Sequence, residues 1–527
     1  MESLSDEVWD VVIAGTSIPQ SLLALALSRS DKKILHVDRH SYYGGDDAGL
    51  SLADAQAWAE DLRQCVQIVP RDFCITDDLA ATSRVFKDAS ISRFADDDSG
   101  PPISLGPSRS YTLSLSPQII YAKSEFLPSL VSSQIHTQLE FLAVGSLWVL
   151  SDGQLHKIPS TREDVFNDES LSMKDKRGLM KFLRYVMQEE ETTTGSEKDN
   201  ASISLKAALS KKFKIPDSLQ APLVALALSP VAANLVPFDK ALARIRRHMR
   251  SMGHFGQGFG AVVAKYGGTA EIAQVACRAG AVGGGVYLLG HGLQDLDATS
   301  NTPAPQGTDG GDIPLIECTL SDGTRIRARY VVGNRDDIPA VKDTTQEVAS
   351  FCTTWRSVNV IADPLRSMFP QTSDNGPIPA VAIILVDDGT PDNDQNPIYL
   401  QIHSEDTGEC PAGQCLIYAS VVSEDGSSKD RLQAAVRGFL ETAGAKDSLL
   451  WSLSYRAVGP DIFSNSDYPP LRKHSQFIIF PHKPQDVAFD DGILHAVNEA
   501  WQVILGPEVT ANSTFLRFEE RESEIED

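Results

Sequence analysis

Residues 8–38 read VWDVVIAGTSIPQSLLALALSRSDKKILHVD, and this stretch decides the fold. Val8–Ala14 is a short apolar, β-branched run, the composition of a buried strand. Gly15 follows, then a Leu- and Ala-rich helical pattern from about Pro19 to Ser30. Lys32-Lys33-Ile34-Leu35-His36-Val37-Asp38 is a second strand that ends in an acid. Strand, glycine turn, helix, strand and acid open a dinucleotide-binding βαβ unit. Asp38 lies 23 positions beyond Gly15, close to the spacing at which such an acid meets a ribose. The expected fold class is therefore α/β, with a large domain like those that bind FAD or NAD(P).

A working glycine turn reads G-x-G-x-x-G, so that a pyrophosphate can approach the helix N-terminus. Here the segment is Gly15-Thr16-Ser17-Ile18-Pro19-Gln20, and only the first glycine is present. Ser17 places a Cβ where the pyrophosphate would press on backbone. Gln20 places a long side chain where helix and strand should pack closely. The fold signal persists while the cofactor signal is damaged, and the sequence predicts a βα turn without bound flavin or nicotinamide. The next segment is Asp38-Arg39-His40-Ser41-Tyr42-Tyr43-Gly44-Gly45. Paired tyrosines beside paired glycines suit either a protein-recognition surface or a turn with one packed Tyr.

Working outward, 527 residues suggest two to four compact units. Hydrophobic residues make up 42% and charged residues 22%, enough apolar material for a real core. The net charge of −24 and a pI near 4.8 repel phosphate backbones and argue against nucleic-acid binding. Met1–Asp10 is acidic and lacks the basic segment of a secretion signal, and no apolar run is long enough to span a bilayer. Seven Cys over this length make no disulfide framework, which fits a reducing cytoplasm. Cys410 and Cys415 have no second Cys/His pair at zinc-ligand spacing and read as ordinary thiols, so no metal is expected.

Residues 117–150 return to apolar periodicity, with Leu139–Leu150 reading as strand. Residues 171–187 form an amphipathic helix with Leu179, Leu183 and Val186 on one stripe. A helical stretch covers about 217–235. Strand-like runs follow at 328–333, 357–362, 379–386, 397–402 and 415–421. The last helix begins at Asp490-Asp491 and buries Ile493, Leu494, Val497, Trp501 and Ile504. The predicted organisation is a domain holding both chain ends, 1–121 and 236–527, with a mostly helical unit, 122–235, inserted into it. Residues 518–527 form an acidic tail. Arg244, Arg246, Arg247 and Arg250 make a basic cluster that suits an acidic partner and reads more simply as a solvated helix face.

Asp10-Val11-Val12-Ile13-Ala14-Gly15-Thr16, Leu35-His36-Val37-Asp38-Arg39 and Tyr42-Tyr43-Gly44-Gly45 resemble the first block of the Rab GDP dissociation inhibitor/Rab escort protein superfamily. Leu115-Ser116-Pro117-Gln118, Lys157-Ile158-Pro159-Ser160, Met180-Lys181-Phe182-Leu183, Tyr266-Gly267-Gly268 with Glu271, and Phe489-Asp490-Asp491 resemble later blocks in the same order. The resemblance covers most of the chain, apart from loops at 75–110, 188–215 and 292–312. It implies a flavoprotein-like domain I without flavin and a helical domain II. It also implies a non-catalytic chaperone of GDP-bound Rab GTPases, with transient membrane contact. Val165-Phe166-Asn167 ahead of Lys176-Arg177 resembles the escort branch, whose members present Rabs to type II geranylgeranyltransferase. The alternatives are a Rab GDP dissociation inhibitor and, on the same fold, a flavin-dependent oxidoreductase. Three positions depart from the family: Ala273 replaces the usual Pro, the block Lys265–Ala270 is one residue longer, and Gly283 replaces an aromatic.

The resemblance assigns Rab contacts to Tyr42, Tyr43, Glu271, Gln274, Arg278 and Tyr287, and prenyltransferase contacts to Phe166 and Arg177. The seven positions between Glu271 and Arg278 are two helical turns, which puts both on one face. Read without the resemblance, such a pair is a solvated face contributing at most about 1 kcal/mol. Tyr287 reads equally as a packed strand Tyr. Leu127, Leu130, Val131, Leu179, Leu183, Leu223 and Leu226 form apolar stripes. They line either a bundle core or helices that part for a geranylgeranyl chain. Burying such a lipid would supply on the order of 10 kcal/mol gross.

Overall fold

The computed structural model describes residues 4–67, 85–94, 104–159, 172–188, 203–216, 219–297, 314–339, 351–371, 376–387, 395–423, 427–461, 468–511 and 513–518. The opening βαβ unit forms as the sequence predicts. Strands Val8–Ala14 and Ile34–Asp38 pair in parallel, with Val11 opposite Ile34 and Ala14 opposite Val37. Helix α1, Ile18–Leu27, connects them and is buried along its whole length. On its other edge Val8–Ala14 pairs in parallel with Arg325–Asn334, and Ile34–Asp38 pairs in parallel with Val286–Leu289. These strands belong to an eight-stranded sheet. Parallel strands covered on both faces read as continuous apolar runs, and Val11–Ala14 does.

Among the described residues the longer helices that follow are α2 (Leu52–Gln67), α3 (Phe126–Ser132), α4 (Met173–Met187), α5 (Gln220–Ala227), α6 (Phe238–Ser251), α7 (Thr269–Val282), α8 (Ser427–Thr442) and α9 (Gly492–Leu505). Helix α1 packs against α7 and α9. Leu22, Leu23 and Leu27 share this core with Ile272, Val275, Ile493, Val497 and Trp501. The five residues expected to be buried in the last helix are all buried. Each large apolar side chain so buried contributes roughly 1.5–3 kcal/mol.

A second, ten-stranded sheet contains Phe351–Ile361, Val381–Val386, Ile398–His403 and Cys415–Val422, four of the five later runs read as strands. It also takes in Phe141–Ser151, which pairs in parallel with Val381–Val386. That strand lies inside the span expected to be a helical insert. Val144, Leu147 and Val149 bury against the sheet, so the segment cannot leave it. The helical layer is instead α4, α5 and α6, and α6 runs on to Ser251, beyond the boundary expected at 235. Helix α3 packs Phe126 and Leu130 into the core around α1. Of the expected tail, Phe518 is packed: its N–H donates to the Ser132 carbonyl at 3.0 Å and its ring lies 5.1 Å from the Arg29 guanidinium. Residues 519–527 lie outside the described residues.

Candidate functional site

The glycine turn is built as a βα turn whose phosphate position is filled by the protein itself. Gly15 has φ +86°, and a Cβ there would overlap the Asp337 carboxylate. Ser17 Oγ donates to Gln20 Oε1 and accepts from Asn334 Nδ2 at 3.2 Å. Gln20 Nε2 turns back to the Ala14 carbonyl at 3.4 Å. The Ile18 N–H at the start of α1 donates to Asp47 Oδ2 at 3.0 Å, and Lys483 Nζ pairs with the other oxygen. Asp47 thus occupies the place an anionic ligand takes at a helix N-terminus. Asp38, the expected ribose acid, is also engaged. Thr16 Oγ1 donates to it at 2.6 Å and the His40 N–H at 2.8 Å. Burial pushes the Asp38 carboxyl up, but the bonds from His40 and Thr16 outweigh burial and hold it below its ordinary value. Burial pushes Asp337 well above its ordinary value. The residues present do not fit a dinucleotide. Ser17 and Gln20 were legible as misfits; Asp47 was not, because nothing in its local sequence says that it folds back onto α1.

The tyrosine pair divides. Tyr42 stacks on His40 at 4.9 Å and packs into the core with Trp58 and Tyr455. Tyr43 turns toward α7. Burial raises its phenol, Cys277 adds to the rise, and the Arg278 guanidinium opposes it. On α7, Arg278 Nη2 donates to Glu271 Oε1 at 2.8 Å, with the two side chains 53% and 19% exposed. Gln274 lies between them, half-buried. Burial raises the Glu271 carboxyl, and Arg278 again opposes. Tyr287 sits in the edge strand Val286–Leu289, its ring 4.9 Å from His36. Its hydroxyl is buried without a partner among the described residues. It lies against Gly280, where any Cβ would overlap it, so α7 needs a glycine there. Glu271, Gln274 and Arg278 therefore run along α7, Tyr43 and Tyr287 lie beside its C-terminal half, and Tyr42 does not join them. Sequence reasoning missed Val282, which is 74% exposed. Its spacing of four from Arg278 puts it on the same stripe and was the available signal.

The apolar stripes do not share one space. Leu127 and Leu130 belong to the α1 core, whereas Leu179, Leu183, Leu223 and Leu226 belong to the core beneath α4–α6. Val131 is 52% exposed. A cavity of about 30 Å³ beneath Leu226, walled by Tyr121, His248 and Ile383, is far too small for a prenyl chain. Arg177 is exposed on the first half of α4. Phe166 lies outside the described residues.

The basic cluster is not a solvated face. Arg244 forms a two-pronged pair with Asp486 at 2.6 and 2.8 Å and donates to the Ala227 and Leu228 carbonyls. Arg246 donates to the Val186 carbonyl, and Arg247 lies over Tyr121 at 5.0 Å. These side chains fasten α6 to its neighbours. Cys410 and Cys415 are buried, and burial lifts the Cys410 thiol to about 12. Among the described residues, no group of three or more His, Cys, Asp or Glu side chains is placed to hold a metal ion.

The family model described as GDP dissociation inhibitor matches residues 5–76 and 80–442. A Saccharomyces cerevisiae protein named Rab proteins geranylgeranyltransferase component A is 29% identical over 60% of this chain and 48% of its own length. The chain's match thus spans about half of that relative. The crystal structure of Rab GDI from Plasmodium falciparum superposes with a TM-score of 0.62 at 18% identity, covering 94% of this chain and 98% of that one. An oxidoreductase from Methanosarcina mazei superposes with a TM-score of 0.54 at 11% identity, covering 94% and 100%. At these identities the two structures share the fold alone.

Proposed function

The chain belongs to the GDP dissociation inhibitor family, and from that premise we propose that it acts as a Rab escort protein. In this reading it binds Rab GTPases in the GDP form and presents them to type II geranylgeranyltransferase. It then carries the lipid-modified product to membranes, working from the cytoplasm without chemistry of its own. The observation that carries the reading is that Tyr43 lies beside Arg278, which pairs with Glu271 along α7, although Tyr43 comes from a part of the chain far away in sequence. A rigid tyrosine beside a half-exposed Arg–carboxylate pair is a good anchor for a protein surface. No helix among the described residues is long and apolar enough to cross a membrane.

The matching family model, described as GDP dissociation inhibitor, favours a second reading, a dissociation inhibitor that extracts Rabs without serving the transferase. An oxidoreductase is disfavoured by Asp47 at the phosphate position. Reconstituted prenylation of one unmodified Rab, with the transferase heterodimer and with or without this protein, tests the escort reading. Lipid transfer that depends on the protein supports it. Rab binding without any such dependence leaves the inhibitor.

A further inference from the structure

A cavity of about 420 Å³ opens between the loop after Asp38, α2 and the start of strand Phe86–Arg93. Its volume falls in the range of ligand pockets, about 300–1,000 Å³. Tyr42, Trp58 and Phe86 supply an aromatic wall, with Trp58 edge-on to Phe86 at 5.3 Å. Asp46, Asp54, Asp61 and Asp336 line it, and among the described residues the guanidinium that faces them is that of Arg39. Arg39 is already engaged: its Nη1 donates to the Asp336 carbonyl at 2.7 Å, and its Nη2 lies 3.9 Å from Asp337. Asp336 Oδ2 accepts the Val85 N–H at 2.9 Å, but its Oδ1 is buried with no partner among the described residues. Buried carboxylate oxygens demand a donor. A negative wall beside aromatic faces is the setting that binds organic cations.

The pattern also speaks to the size of the ligand. Asp54 and Asp61 are both exposed and lie seven positions apart on α2, so they share one face at about 10 Å separation. A single ammonium meets one of them. Two basic residues three apart on a polyproline II chain, with three residues per turn and about 3.1 Å of rise each, lie on one side about 9 Å apart and meet both. We propose that this cavity takes a lysine or arginine side chain of a polypeptide partner, with a second basic residue of the same segment meeting α2. The inference stands apart from the escort reading, since it needs only a basic segment and not a GTPase.

The test uses the full chain and a fluorescein-labelled hexapeptide with two lysines three positions apart, followed by anisotropy at low salt. The wild-type protein should bind it saturably. The double variant Asp46→Asn/Asp61→Asn should lose about tenfold or more in affinity. The control Asp322→Asn/Glu441→Gln, which removes the same charge from distant exposed sites, should lose at most about twofold. Asp61→Asn alone, on the exposed face of α2, gives the same comparison if the double variant does not fold. Equal losses in both variants would mean general attraction to a protein of charge −24, and would overturn the proposal. So would the absence of saturable binding, or spermidine displacing the peptide at the peptide's own affinity, which would make the occupant a free polyamine.

Discussion

The Asp47 carboxylate accepts the Ile18 N–H at 3.0 Å, so the positive end of α1 is served by an anion from within the chain. Its second oxygen holds Lys483, and both side chains are buried. Removing one partner strands the other: Asp47→Ala should cost about 3–5 kcal/mol, read by urea denaturation. The same geometry predicts that Ser17→Gly/Gln20→Gly, which rebuilds the glycine motif and keeps Asp47, releases no flavin on denaturation. Stoichiometric flavin from that variant would sink the account of a self-filled phosphate site.

Arg278→Ala separates the fold from the proposed platform. The Arg278–Glu271 pair is partly exposed, so its loss should change unfolding free energy by about 1 kcal/mol. If Arg278 makes a charge-assisted bond to a GDP-bound Rab, affinity should fall by about 1–3 kcal/mol. Unchanged affinity in a folded variant, measured by calorimetry, would remove Arg278 from the interface.

Much of the fold was legible because periodicity and turn chemistry agreed over residues 8–38 and 490–504. What could not be read were long-range partners. Arg244 looked like one of four solvated arginines because its acid, Asp486, lies 242 positions away. Tyr42 and Tyr43 looked equivalent because neighbours in a loop carry no sign of which one the core will take. The leucine stripes show burial but not against what, and so periodicity does not separate the two cores that hold them. On the α7 stripe, by contrast, seven-residue spacing alone placed Glu271 with Arg278, since a helix sets its own geometry.

Arg244→Ala should therefore be severe. It leaves Asp486 buried and unpaired and removes donors from two carbonyls, a loss of about 3–5 kcal/mol. Arg250→Ala, on the exposed side of the same helix, should cost less than about 0.5 kcal/mol. Similar small effects for both in chemical denaturation would restore the reading of a solvated face.

Two buried histidines predict acid sensitivity. Burial lowers His36 and His248 from 6.5 to about 4. Both are neutral when folded, while the unfolded chain protonates them near 6.5, so protons favour unfolding below that value. Their contribution is whole above pH 6.5 and is lost progressively as pH falls to about 4, by about 3 kcal/mol at most for each. His248→Gln should flatten that slope in urea unfolding measured across the window. A slope unchanged from wild type would mean that His248 titrates alike in the folded and unfolded chains.

The final prediction concerns Phe166 and Arg177, which the escort reading gives to the transferase. Phe166 lies in Arg162-Glu163-Asp164-Val165-Phe166-Asn167-Asp168-Glu169, a large ring among charges, which suits a surface anchor. Arg177 is exposed on α4, while Leu179, Phe182 and Val186 of that helix are buried in the core below. The guanidinium therefore faces outward, free of the packing that holds the helix. Aromatic and Arg anchors dominate hot spots because a buried ring excludes water and a planar fork makes paired bonds. Losing one costs about 2 kcal/mol or more, roughly thirtyfold in affinity. Phe166→Ala should abolish prenylation at modest protein concentration and leave Rab binding nearly unchanged. Arg177→Ala should weaken transferase binding without altering unfolding by more than about 0.5 kcal/mol. If Phe166→Ala instead unfolds the helical layer, the ring is core. A folded variant that still supports normal prenylation would return the chain to the inhibitor reading.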